Sequence, residues 1–187
     1  MKYIIVLLLL IIGSGCSSTA PSYFTVDTTS QLPTNVLNKQ TVTINVTDLR
    51  TRQDILQVKN NGKLTYIPSQ VPTATFIKQG LMASFNQQSA ISYQPNNNSL
   101  HVNVEKMAVK LNQETFAYDT KSLIVLAVTI NNGNNTLTKT FKRQGTSKGP
   151  LKADTAVLEQ DFNQLLRLLF NDISKDSQVI DYLTGVK

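Results

Sequence analysis

Cys16 is the only thiol and His101 the only imidazole in a chain of 187 residues, so whatever chemistry the side chains perform starts from a short inventory. A lone histidine can act as a neutral-pH base, but it cannot build a histidine cluster for zinc or another metal. No nucleophile-elbow sequence accompanies His101, and the glycines are scattered singly rather than gathered into a phosphate-cradling loop. The catalytic set, the metal set and the cofactor set are therefore all expected to be none. Two cationic groupings remain. Asp48, Arg50, Arg52 and Asp54 alternate with Leu49, Thr51 and Gln53, which puts all four charges on one face if the backbone stays extended. Such a row reads either as a salt-linked strand end or as a planar Arg50 clamp for a carboxylate or phosphate. Lys139, Lys142, Arg143, Lys148 and Lys152 surround Gly145-Thr146-Ser147-Lys148-Gly149-Pro150, read as an exposed basic loop. The loop is either simply solvated or a charge contact for anionic headgroups or glycan. The candidate contact residues are thus Arg50, Arg52, Lys142, Arg143, Lys148 and Lys152, with Tyr118 as an aromatic neighbour and Phe116 expected in the core.

The location of this chemistry is written at the amino terminus. Lys2 precedes the apolar run Ile4-Ile5-Val6-Leu7-Leu8-Leu9-Leu10-Ile11-Ile12, and small residues follow. That is the composition of a secretory signal, too short to cross a ~30 Å hydrocarbon layer comfortably as a mature helix. Gly13-Ser14-Gly15-Cys16 resembles the lipobox of bacterial lipoproteins. The resemblance implies cleavage after Gly15, a diacylglycerol thioether on Cys16 and an acylated amino terminus. The alternative is an ordinary secreted protein with an unpaired thiol. With no second cysteine, stability must come from the core rather than from an internal disulfide.

The formal charge is +6 and falls to about +5 once Lys2 leaves with the signal. A modest positive excess suits an anionic envelope component, and export makes nucleic acid an unsuitable partner. Residues 1–15 are the expected signal. Residues 16–40, rich in Ser, Thr, Asn and Gln with Pro21 and Pro33, read as a lipidated cysteine and flexible tether. Val26, Leu32, Val36 and Leu37 are apolar enough for part of it to lie on the domain. Residues 41–187 form the single expected domain.

Within that domain, Thr41-Val42-Thr43-Ile44-Asn45-Val46-Thr47 alternates as a strand, and residues 56–67 read as a hairpin turning at Asn60-Asn61-Gly62. Pro72 opens a helix carrying Phe76, Ile77, Leu81, Met82 and Phe85, and Ile91-Ser92-Tyr93 suggests a short strand. Leu100-His101-Val102-Asn103-Val104 and Met107-Ala108-Val109-Lys110-Leu111 alternate in opposite phases, which predicts a β-bulge near Glu105-Lys106. Residues 123–130 are nearly all apolar and predict a central strand, which could also mediate a homo-oligomer. Asp154 is a natural N-cap for a long helix with Val157, Leu158, Phe162, Leu165, Leu166, Leu169 and Ile173 on one face, and a last helix spans 178–183. The expected class is α+β, an antiparallel sheet of four to six strands with two amphipathic helices packed on one face.

The chain resembles the YajG-like family of bacterial lipoproteins in the signal and Cys16, Asp48-Leu49-Arg50-Thr51, the helix before Tyr93, Thr120-Lys121, Asn132-Gly133-Asn134, Thr138-Lys139 and the ending from Asp154 to Leu183. The resemblance implies an envelope lipoprotein on the periplasmic face of the outer membrane, with no established biochemical activity. More distantly, the layout resembles envelope assembly and transport-auxiliary lipoproteins. The reading that follows is a non-enzymatic, membrane-anchored binding or assembly module for another envelope protein or an anionic envelope component. Its rivals are a cell-wall or lipid-modifying enzyme using His101 and a structural homo-oligomer.

Overall fold

Three successive fifteen-residue strands form the centre of the molecule. The computed structural model describes residues 22–27, 42–85 and 98–184. Cys16, the apolar leader and the strand expected at Ile91-Ser92-Tyr93 lie outside them. The elements run β1 (Thr43–Asp48), β2 (Asp54–Asn60), β3 (Lys63–Pro68), α1 (Thr73–Ser84), β4 (Ser99–Gln113), β5 (Ala117–Asn131), β6 (Thr136–Pro150), α2 (Thr155–Lys175) and α3 (Ser177–Thr184). The sheet has six strands in the order β3-β2-β4-β5-β6, with β1 also hydrogen-bonded to β4.

Period-two alternation puts Leu100, Val102, Val104, Met107 and Val109 of β4, and Ile124, Leu126, Val128 and Ile130 of β5, on one buried face. All three helices cover that face: α1 over β1, α2 along β6 and α3 against β5. The expected phase slip in β4 is present as a bulge between Val104 and Lys106, and it keeps both halves of the strand facing the core. The β2–β3 hairpin turns on Asn61 and Gly62, both at positive φ (47° and 81°), the conformation a two-residue turn of this hand requires.

The sheet is mixed rather than wholly antiparallel. β1 and β2 both run parallel to β4 and share one of its edges, β1 beside residues 99–104 and β2 beside 109–113. The cause lies in residues 49–53, which offset the chain without reversing it, while α1 is part of the crossover that parallel pairing needs.

Three local expectations are corrected. Residues 145–150 are not a loop: β6 continues through Pro150, paired residue by residue with β5 back to Ala117. Backbone pairing overrides the weak strand preference of Gly and Lys here. Gly149 serves close packing, since a Cβ there would come within 2.6 Å of the Tyr118 ring. Phe116 is 77% exposed, because it tops the β4–β5 turn beyond the reach of the helices. On α2 the core stripe is Leu158, Phe162, Leu166, Leu169, Phe170 and Ile173; Leu165 is only half-buried and Val157 is exposed. Steps of three and four fit Leu165 and Leu166 equally well in sequence, and the packing of Phe170 against Gly80 of α1 turns the helix toward Leu166.

Residues 22–27 lie on the domain. Phe24 is fully buried, with its ring edge-on to Phe162 at 5.6 Å. Its N–H donates to the Pro68 carbonyl at 2.9 Å, and its own carbonyl accepts from the Gln70 N–H. The Thr25 and Asp27 N–H groups donate to side-chain oxygens of Glu159 and Asn163 on α2. Burying one phenylalanine contributes roughly 1.5–3 kcal/mol, which together with these hydrogen bonds offsets part of the entropy of ordering the segment.

Candidate functional site

The corner between β1 and β2 exists because β4 has an interrupted edge. In the stretch of β4 between its pairing with β1 and its pairing with β2, the Arg50 guanidinium donates to the Met107 carbonyl at 2.8 Å. The same side chain makes a two-pronged pair with Asp48 (Nε–Oδ1 2.9 Å, Nη2–Oδ2 2.8 Å) and donates to the Asp54 carbonyl and the Thr73 hydroxyl. With only 6% of its side chain exposed, Arg50 joins β1, β2, β4 and the start of α1, and its donors are committed to protein oxygens. Burial tends to raise the Asp48 carboxyl, but the hydrogen bonds and charge of Arg50, with the Thr73 hydroxyl, outweigh it and hold the group below its ordinary 3.8. Arg52 differs: it pairs with Asp54 at 2.9 Å and lies 3.5 Å above the Tyr66 ring, yet 55% of its side chain is exposed.

Strand parity divides the basic residues of β6 into two sets. Lys139 and Arg143 point to the helix side. Lys139 bonds Asp176 at 2.6 Å, and Arg143 grips both oxygens of Asp172 at 2.6 Å, tying the edge strand to the carboxy-terminal end of α2. The Arg143 guanidinium is raised above its ordinary value by the hydrogen bonds and charge of Asp172. Asp176, which also caps α3 through the Val179 N–H, is raised by desolvation but lowered further by the Lys139 and backbone hydrogen bonds, for a net position below 3.8. Lys142 and Lys148 point to the opposite, open face. Lys152 follows β6 and is exposed.

The open face carries what the sequence did not bring together. Across it, Lys106, Val125 and Lys142 stand in one register row, Ala108, Leu123 and Gln144 in the next, and Gln57, Lys110, Lys121 and Thr146 in the third. The rows form a cleft of about 760 Å³, bordered at one end by Leu49 and Arg52. Among the described residues, no ion pair engages Lys106, Lys110, Lys121 or Lys142. Asp54 and Glu105 are the acids that line the cleft, and Asp54 is already held by Arg52 and Gln57. Lys110 and Lys121 sit directly opposite each other, an arrangement that is unfavourable in an isolated sheet.

Of the six residues singled out in the sequence, Arg52 and Lys142 border this cleft with exposed side chains, whereas Arg50 is turned inward. Arg143 faces the helices, and Lys148 and Lys152 lie outside the cleft. Sequence reasoning missed Lys106, Lys110 and Lys121 because they are dispersed over two strands. The β4–β5 register was the signal needed, and it depends on the bulge and the Glu114 turn. His101 is exposed on the same face, level with Asn45 and Thr129. Among the described residues, no three His, Cys, Asp or Glu side chains gather as a metal site. No described helix is long and apolar enough to cross a membrane.

A sheet with helices on one face and a cationic cleft on the other defines the chain as an α+β module. A family model described as uncharacterized lipoprotein matches residues 28–184, so the chain belongs to that family of lipoproteins, in agreement with the YajG-like resemblance. Among solved structures, protein XCC0632 of Xanthomonas campestris, of the DUF330 family, shares the fold with a TM-score of 0.58 at 14% identity, over 89% of this chain and 100% of that one. A candidate lipoprotein of Caulobacter crescentus aligns with a TM-score of 0.42 at 13% identity, over 77% of this chain and 92% of the other. No curated protein matches the chain significantly.

Proposed function

We propose that this lipoprotein is anchored through Cys16 in the outer membrane, faces the periplasm, and works without catalysis by holding another envelope component on the open face of its sheet. The observation that carries the reading is the concave, cationic surface with apolar side chains at its floor, which no described helix covers while the opposite face builds the core. A long-range positive field speeds encounter with an acidic partner, and the apolar floor adds affinity once water is displaced. The small-residue run before Cys16 and the family's description as lipoproteins support the anchor. His101 has Asn45 and Thr129 beside it in register, with no acid in either neighbouring position, which favours a holding function over acid–base work.

A photo-crosslinking residue placed at Leu123 in intact cells tests the reading. It should give a discrete adduct that an identical probe at Val157, exposed on α2, does not give. Equal adducts from both positions, or none from Leu123, would overturn the open face as the working surface.

A further inference from the structure

We infer that the open-face cleft binds a phosphate group carried on an apolar chain, that is, an anionic amphiphile presented one molecule at a time. The inference rests on the open face being the working surface and specifies its ligand.

Three observations lead there. Lys110 and Lys121 stand opposite each other in the β4–β5 register, and Lys106 and Lys142 flank Val125 one strand to either side. Side chains directly opposite have Cβ atoms about 4.5–5.5 Å apart, so the Lys110–Lys121 ammonium groups can converge on one anion. Second, Glu105 is the one acid lining the cleft that has no basic partner among the described residues, so an excess of positive charge is left to be met from outside. Lysine ammoniums are compact point charges suited to a multiply charged phosphate, whereas the planar fork that recognises a carboxylate is absent: Arg50 is inward and Arg52 is held by Asp54. Third, Leu123 and Ala108 form an apolar floor between the two lysine pairs, with Val125 in the neighbouring register row, on a face that no described helix covers. A bare inorganic anion leaves that floor in water; a short apolar chain covers it. The cleft volume of about 760 Å³ lies within the range of small-molecule sites, ~300–1,000 Å³.

The test uses the full lipidated protein in non-ionic detergent, with octyl phosphate, inorganic phosphate and octyl glucoside as probes and the methyl NMR signals of Ala108, Leu123 and Val125 as readout. Octyl phosphate should move these signals saturably and bind at least tenfold more tightly than either other probe. Lys121→Glu should weaken it at least tenfold without lowering the melting temperature, and Lys63→Glu on the distant β3 should not change it. Leu123→Asn should reduce octyl phosphate binding and leave inorganic phosphate as it was. Inorganic phosphate binding as tightly as octyl phosphate would overturn the amphiphile. Equal binding of octyl glucoside would remove the anion, and no shift with any probe, or full binding by Lys121→Glu, would overturn the site. Any of these results alongside a discrete Leu123 adduct in cells would discard the ligand class while leaving the open-face reading intact.

Discussion

Individual residues divide here into those that close the structure and those that leave it open. Arg50 is of the first kind. Its bidentate contact with Asp48 and its bond to the Met107 carbonyl fill a break in the β4 ladder, so Arg50→Ala strands a largely buried carboxylate and a carbonyl together. The expected loss is about 3–5 kcal/mol in chemical denaturation. Lys121 is of the second kind. Replacing it with Glu turns an opposed lysine pair into an attractive one, and the domain should gain about 0.2–1 kcal/mol, read as a raised denaturation midpoint. A side chain kept at a small cost in stability is a sign of use at that position. The acid side of the pH profile follows from Asp48 and Asp176, whose folded values lie below the ordinary 3.8. Depressed carboxyls bind fewer protons when folded, so their stabilisation is complete above the unfolded value and is lost as pH falls through the folded values. Melting temperatures should therefore fall as the pH drops below about 4, and Asp48→Asn should flatten that fall. Sequence singled out Arg50 as a candidate clamp for an outside anion; its bonds to the Asp54 and Met107 carbonyls and the Thr73 hydroxyl turn it inward, while Arg52 stays exposed.

Elements reveal how far a sequence can be read without its partners. The β4 bulge, the Asp154 cap on α2 and the Gly62 turn were legible because each is a local rule satisfied locally: a phase slip, an oxygen for a free N–H, a positive φ. The parallel ladders of β1 and β2 were not legible, because their direction depends on a corner that offsets the chain and on a crossover formed far downstream. Gly149 misled for a related reason. In sequence it resembles loop freedom, and in the sheet it makes room for Tyr118. Gly80 makes the same point on α1, where the Phe170 ring occupies the space a Cβ would need. Gly80→Ala should improve intrinsic helicity by about 1 kcal/mol yet force the α1–α2 contact apart at about 1–3 kcal/mol, for a net loss by thermal melting. On α2, Leu166→Ala should cost about 2–5 kcal/mol and Leu165→Ala distinctly less, since only Leu166 is fully enclosed.

At the scale of the molecule, one face of the sheet is sealed by three helices and the Phe24 segment, and the other is concave, basic and free of any described helix. The chain itself emerges on the sealed side at residues 22–27, beside α2 and the end of β3. Cys16→Ser tests the proposed anchor: the variant should be released from membranes as a folded protein, with its melting curve unchanged. The most direct test of the open face compares lysine reactivity in native envelopes with that of the purified protein, using an amine reagent that passes the outer membrane. If the open face is occupied, Lys106, Lys110, Lys121 and Lys142 are protected in the envelope, while the exposed Lys63, Lys78 and Lys175 react equally in both preparations. Equal reactivity of all seven lysines in the two preparations would contradict the account.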